Sequence, residues 1–174
     1  MFGFIKKLLF SRQLKFEEGS IKLLEQDVSI TPVILFVAMF KELKKSQPES
    51  YGKTIYDISV EVGKKYSEIL KRKYGMNSQK IAEWDMNTLS MAGLGKGEFL
   101  KLDFKKKISI IRVQNSPISK LMAPSKTPVD FVIAGYIAGS AKMIFNSAKM
   151  ECREIKCQAM GKNECIFEVF EVQQ

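Results

Sequence analysis

The sequence predicts an α+β domain: an antiparallel sheet flanked by about four helices, with a hairpin near each end of the chain. Three patterns carry that expectation. Apolar residues recur at steps of three and four through residues 31–45, 51–74 and 77–91, the spacing of one helix face. Over residues 98–114 the period drops to two, as in half-buried strands. After a stretch rich in proline and serine, a helix of small residues leads into a strand pair around Gly161.

In chain order, Leu14 to Leu24 reads as two short strands turning at Glu18-Gly19-Ser20. Thr31-Pro32 opens the first helix, with Thr31 as N-cap, and the helix runs to about Lys45. It is apolar nearly all round its first turns, which predicts burial between layers. The second helix, Tyr51 to Tyr74, carries a stripe at Ile55, Ile58, Val62, Tyr66 and Ile69 and stops at Gly75. The third starts at Asn77 or Ser78, uses Ile81, Trp84, Thr88 and Met91, and dissolves in Gly93, Gly95 and Gly97. Leu100, Leu102 and Phe104 then alternate with polar residues, and Lys107 to Gln114 forms the partner strand. Asn115 to Lys126 reads as a loop. Thr127-Pro128 opens a fourth helix reaching about Ser147, and a hairpin from about Met150 to Val172 shares a sheet with the 98–114 pair.

Composition narrows the classes of function. With 45% hydrophobic and 27% charged residues, the chain is ordinary globular protein. A domain of this size buries roughly 70% of its unfolded surface and needs no disulfide framework. The net charge of +9 comes from scattered lysines; no basic stripe alternates with aromatics, so a solvated surface is expected and no specific nucleic-acid partner. Histidine is absent, which removes histidine-based triads, histidine-ligated haem and HExxH zinc hydrolysis together. The opening decapeptide MFGFIKKLLF lacks a cleavage signal and reads as an interfacial anchor or an edge that packs on a partner. The longest apolar run, Pro32 to Phe40, falls well short of the ~20 residues of a membrane span. Three clustered cysteines, an odd number, point to a reducing cytoplasm.

The chemistry concentrates in ECREIKCQAMGKNECIFEV, residues 151–169. A turn centred on Gly161 sets Cys157 across from Cys165 with both sulfurs on one face, shared by Ile155 and Phe167. Such a pair can hold a metal, form a disulfide or simply pack. In the same regular register Glu154 points away and opposes Glu168, an unfavourable like-charge pairing. A bulge near Ile155 or Lys156 would turn Glu154 toward the thiols. Asp130 by itself reads as a first-turn carboxylate completing a capping box with Thr127. Gly135 and Gly139 in AGYIAGSA mark a close backbone approach, to a neighbouring element or a ligand. Trp84 lies on the interior stripe of its helix, as core or as pocket wall. Cys152, beside Arg153 and Lys156, is the one candidate for a reactive thiol.

The stretch from Arg112 to Val172 resembles the 4-vinyl reductase domain family. An NSP-like loop, a GYxAG helix, E-x-x-C, a glycine turn and C-x-F occur in the family's order, at Asn115, Ser116, Pro117, Gly135, Tyr136, Gly139, Glu154, Cys157 and Cys165. The resemblance implies a fold shared with haem-nitric-oxide-binding domains and vesicle-tethering subunits, commonly dimeric. It implies a non-catalytic, sensor-like domain that takes a small hydrophobic molecule. On that basis residues 31–174 form the ligand-binding domain, with its family core at 112–172, behind an arm and hairpin at 1–30. It further implies a structural zinc on the C-terminal hairpin, with Glu154, Cys157 and Cys165 as ligands. The family's remaining cysteine ligand falls at Asp130, so an aspartate, or Cys152 in its stead, would complete the set. Trp84, Phe131 and Tyr136 are the candidate ligand-binding residues. The family name does not imply reduction here, since no G-x-G-x-x-G fingerprint supplies a nicotinamide or flavin site and no histidine supplies haem. An enzyme acting through a metal or reactive thiol, and a regulatory subunit needing a partner chain, are the competing expectations.

Overall fold

The computed structural model describes residues 2–173, so the outermost residues of the expected 1–30 and 31–174 stretches lie outside the described residues. The described chain runs α1 (Phe2–Phe10), β1 (Leu14–Glu17), β2 (Ser20–Leu23), β3 (Gln26–Val28), α2 (Val33–Ser46), α3 (Tyr51–Tyr74) and α4 (Ser78–Met91). It continues through β4 (Lys96–Asp103), β5 (Ile108–Gln114), α5 (Pro117–Met122), α6 (Phe131–Ile144), β6 (Met150–Lys156) and β7 (Cys165–Glu171). This is the α+β class the periodicity predicts. Two antiparallel sheets form, β1-β2-β3 and β4-β5-β7-β6, and the pairing of β5 with β7 joins the central hairpin to the last one.

The layers follow from residue size. In β5, Ser109, Ile111 and Val113 alternate inward and meet Phe167 and Val169 of β7 in one core. Helix α6 packs on that sheet with its inner side and against α3 with its outer side. A Cβ on Gly135 would collide with the Tyr56 carbonyl, and one on Gly139 with the carbonyl of Val60. Gly63 of α3 stands likewise against the Tyr136 carbonyl. The expected close approach is therefore helix to helix. It rotates α3 away from the predicted stripe: Ile55 is buried, but Ile58 and Val62 are 62% and 52% exposed. The buried face is instead built around Gly52, Ser59, Gly63, Ser67 and Leu70, because only small side chains fit beneath α6.

Three further expectations change. Pro32, not Thr31, sits at the N-cap of α2, and the Thr31 hydroxyl bonds to Ser29 at 2.8 Å. The apolar first turns of α2 are not sandwiched: Val37 and Phe40 are buried, whereas Ile34, Leu35, Phe36 and Met39 face outward. The 115–126 loop contains α5, opened by Ser116 as N-cap and Pro117 behind it. Other boundaries match, with Asn77 accepting from the Lys80 N–H and Gly75 in the left-handed conformation at φ 61°. The opening decapeptide is helical after Met1, and its Leu8 enters the main core with Leu23 and Leu24.

Candidate functional site

The last hairpin carries the predicted bulge. Lys156 opposes Ile166, but Glu154 opposes Phe167, so Ile155 is the extra residue between them. The predicted Ile155–Phe167 face and the Glu154–Glu168 opposition therefore do not occur. Ile155 is turned outward, and Arg153 takes the place opposite Glu168, with an ion pair at 2.6 Å. The irregularity follows from chemistry: it exchanges a like-charge pair for an opposite one and rotates Glu154 inward. A single 3-10 turn at Gln158–Met160 and Gly161 at φ 81° close the ribbon. Donor atoms of Glu154, Cys157 and Cys165 consequently lie within 4.8 Å of one another, and both cysteines are fully buried.

Asp130 joins this cluster rather than capping α6. The helix begins at Phe131, later than predicted, and the Asp130 side chain makes no capping bond. What stops the helix earlier is Glu154, whose Oε2 accepts from the N–H groups of Val129 and Asp130, both at 3.1 Å. The fully buried Asp130 carboxylate accepts instead from Ser116 Oγ at 3.0 Å, Ser119 Oγ at 2.8 Å and the Cys165 thiol at 3.3 Å. Ser119 Oγ also lies 3.3 Å from Cys157 Sγ and 3.4 Å from Cys165 Sγ, which puts it at the centre of the group. Asn115 adopts φ 58°, a left-handed turn that asparagine tolerates, and so swings the chain from β5 into α5. Ser119 escapes sequence reasoning because its role depends on that helix; the serine-proline start at 116–117 was the available signal.

The electrostatics are those of packed anions. Burial, then the Asp130 charge and the Cys157 thiol, push the Glu154 carboxyl up to about 9. Burial likewise raises Asp130 against the bonds from its serines. A proton donated by Cys165 pulls Cys157 down to about 4 and leaves the Cys165 thiol well above its ordinary value. Glu154 Oε1 is buried with no hydrogen-bond partner. Two sulfurs, two carboxylates and an orphaned buried oxygen suit a divalent cation. Cys152 is not part of this group: it is buried on β6, its N–H bonds to Tyr56 Oη at 3.1 Å, and burial raises its thiol further.

A second polar centre lies between α4, α6 and the sheet. Asp85, 4% exposed, accepts from Tyr136 Oη at 3.2 Å and from Ser140 Oγ, and Ser140 in turn accepts from Ser67 at 2.8 Å. Burial lifts the Asp85 carboxyl to about 7 despite those bonds. The carboxylate borders a small cavity of about 20 Å³ whose wall includes Ser109, Ile111, Ile137 and Phe145. Ser109 Oγ is buried there without a partner. Asp85 was legible as an acid at a core position, one helical turn beyond Ile81.

The three candidate aromatics do not gather around one cavity. Tyr136 reaches Asp85. Phe131 lines an open groove of about 360 Å³ between α3, α6 and β6, beside Tyr56, Ala134 and Glu154. Trp84 stacks edge-on against Phe4 of α1, with centroids 5.1 Å apart, and its Nε1 is unpartnered.

Known proteins agree with this architecture. The phenol-responsive sensory domain of the transcription activator PoxR, solved with phenol, superposes with a TM-score of 0.80 at 19% identity, over 92% of this chain and 86% of that one. A vinyl-4-reductase family protein from Methanocaldococcus jannaschii matches with a TM-score of 0.58 at 24% identity, over 84% and 85%. A trafficking protein particle complex subunit 3 from Naegleria fowleri, covalently bound to palmitic acid, matches with 0.52 at 13%, over 80% and 94%. No curated protein matches the sequence significantly. Residues 109–171, which supply Ser109, Ser119, Asp130 and the whole thiol–carboxylate hairpin, match the family model of the 4-vinyl reductase domain, and the chain thus carries a domain of that family over this segment.

Proposed function

We propose that the chain is a non-catalytic sensory domain that binds a small, largely apolar molecule in the cavity beside Asp85. The observation that carries this reading is the 4-vinyl reductase segment itself, which contributes Ser109, Ile111, Ile137 and Ala141 to the cavity wall and builds the cluster on the adjoining hairpin. The PoxR domain, which holds phenol, has the same fold. At about 20 Å³ the cavity holds about one water, whereas about 150 Å³ admits a benzene-sized guest. Binding therefore widens it, and Met86 on its wall is the side chain best able to give way. A change in volume at the junction of α4, α6 and the sheet is how occupancy would be transmitted.

In the same reading Asp130, Glu154, Cys157 and Cys165 hold a structural zinc. A closed set of four protein ligands leaves no position for an activated water, so the ion supplies folding energy rather than reaction. Ser116 and Ser119 orient the Asp130 carboxylate, and Glu154 ties the hairpin to the start of α6. An enzyme acting through Cys152 is disfavoured by that thiol's burial and raised pKa. Residues 31–174 form the binding unit and 1–30 an arm packed on it. A second copy would cover the outward Ile34, Leu35, Phe36 and Met39 of α2 in a homodimer. None of the described helices is long and apolar enough to cross a membrane, and free thiols suit a reducing cytoplasm.

Native mass spectrometry of chain purified without chelator reads metal, bound molecule and subunit number together. One zinc per chain in a dimer is expected. Metal-free, fully folded protein would remove the zinc assignment.

A further inference from the structure

Asp85 is the unusual group in the cavity, and it constrains the guest more tightly than the apolar wall does. Its carboxylate is 4% exposed, and among the described residues no ion pair involves it. Its two bonds come from neutral hydroxyls, Tyr136 Oη on Oδ1 and Ser140 Oγ on Oδ2. A carboxylate has about four lone-pair sites, so two hydroxyls leave acceptor capacity unused. Ser109 Oγ, on the opposite strand of the wall, also lacks a partner. The cavity therefore offers acceptors and no cation. Phe99 and Phe145 on the same wall offer aromatic faces, which attract cations as well as apolar groups.

Resting on the cavity reading above, we propose that the ligand is a small apolar amine, bound as its ammonium in direct contact with Asp85. An ammonium brings three donors and no acceptor, which matches the acceptors the cavity presents. It also supplies the positive charge that burial of Asp85 otherwise lacks. A neutral alcohol or phenol satisfies one acceptor and leaves the charge uncompensated. A carboxylate guest meets Asp85 as a like charge and is rejected. Burial raises the Asp85 carboxyl to about 7 in the free protein, so a bound ammonium would also hold it ionised.

The test uses the full chain and three guests of matched shape: benzylamine, benzyl alcohol and benzoate, titrated calorimetrically near neutral pH, with amide chemical-shift mapping to locate them. The expected result is benzylamine binding at least about tenfold tighter than benzyl alcohol, a difference of about 1.4 kcal/mol, with benzoate not binding. Shifts should centre on Asp85, Ser109, Ile111 and Ala141. In Asp85→Asn the amine-to-alcohol ratio should fall to about one. Benzyl alcohol or benzoate binding there as tightly as the amine overturns the amine assignment and leaves the cavity standing. Shifts centred elsewhere, or no binding by any of the three, overturn the cavity reading and this inference with it.

Discussion

Asp130 and Asp85 invite comparison, because the fold treats the two carboxylates alike up to a point. Each is almost wholly buried, each lies against α6, and each accepts bonds from two neutral hydroxyls. Asp130, however, sits beside two thiols and Glu154, so its surroundings add negative charge and call for a cation held by several groups. Asp85 has no such company and opens instead onto a cavity with a single unpartnered hydroxyl. A buried carboxylate thus acquires its role from what the tertiary structure brings within about 4–6 Å, where charges and hydrogen bonds dominate its behaviour.

The comparison can be broken most strongly at the metal end. Cys165→Ala removes one donor and should abolish zinc in native mass spectra while lowering unfolding free energy by about 3–5 kcal/mol, since it leaves the other buried anions uncompensated. Denaturant melts should show chelator-treated wild type converging on the variant; equal stability of all three would deny the cluster a structural ion.

Next comes a change at Asp85. Its folded pKa lies above the ordinary value of 3.8, at about 7, so the folded state binds the extra proton between those limits. Its contribution is therefore fully present below the unfolded pKa and is lost as pH rises toward 7, by a few kcal/mol at most. Asp85→Asn should remove that slope, so the variant gains on wild type between pH 4 and 7 in urea melts (about one pKa unit per 1.4 kcal/mol). Parallel pH profiles for the two proteins would show that Asp85 is not held in this state.

The helix pair that carries both carboxylate environments is tested by Gly139→Ala. The added methyl meets the Val60 carbonyl, and overpacking of this kind should cost about 1–3 kcal/mol, read as a lower Tm. Smaller still is Ser119→Ala, which removes a donor to Asp130 without touching the four donors themselves. Zinc retention in chelator competition should weaken by about 10–100-fold with the metal still binding stoichiometrically. Unchanged retention would reduce Ser119 to packing.

Much of this molecule was legible before folding was considered. The two strand pairs, the stop at Gly75 and the cap at Asn77 follow from local spacing and local hydrogen bonding. The bulge at Ile155 was legible too, because a regular ribbon would have opposed Glu154 to Glu168. The α3 face misled because Ile58 and Val62 keep helical spacing as well as Ile55 does, whereas Gly63 and Ser67 carry no hydrophobic signal yet form the interface. Serine and proline hid α5 inside an apparent loop. Asp130 read as a cap because nothing near it in sequence reveals that Glu154 would take the N–H groups of residues 129 and 130.

The chain alone determined its periodicities, its donor types and the absence of histidine, since these reside in residue identity and in spacing along one helix or strand. Only the tertiary structure decided which carboxylate meets sulfur and which meets a cavity. The bond from Cys165 to Asp130 spans 35 residues and that from Ser140 to Asp85 spans 55. Over such separations the outcome depends on strand register and helix rotation, which are set by how small residues let α3, α6 and the sheet close on one another.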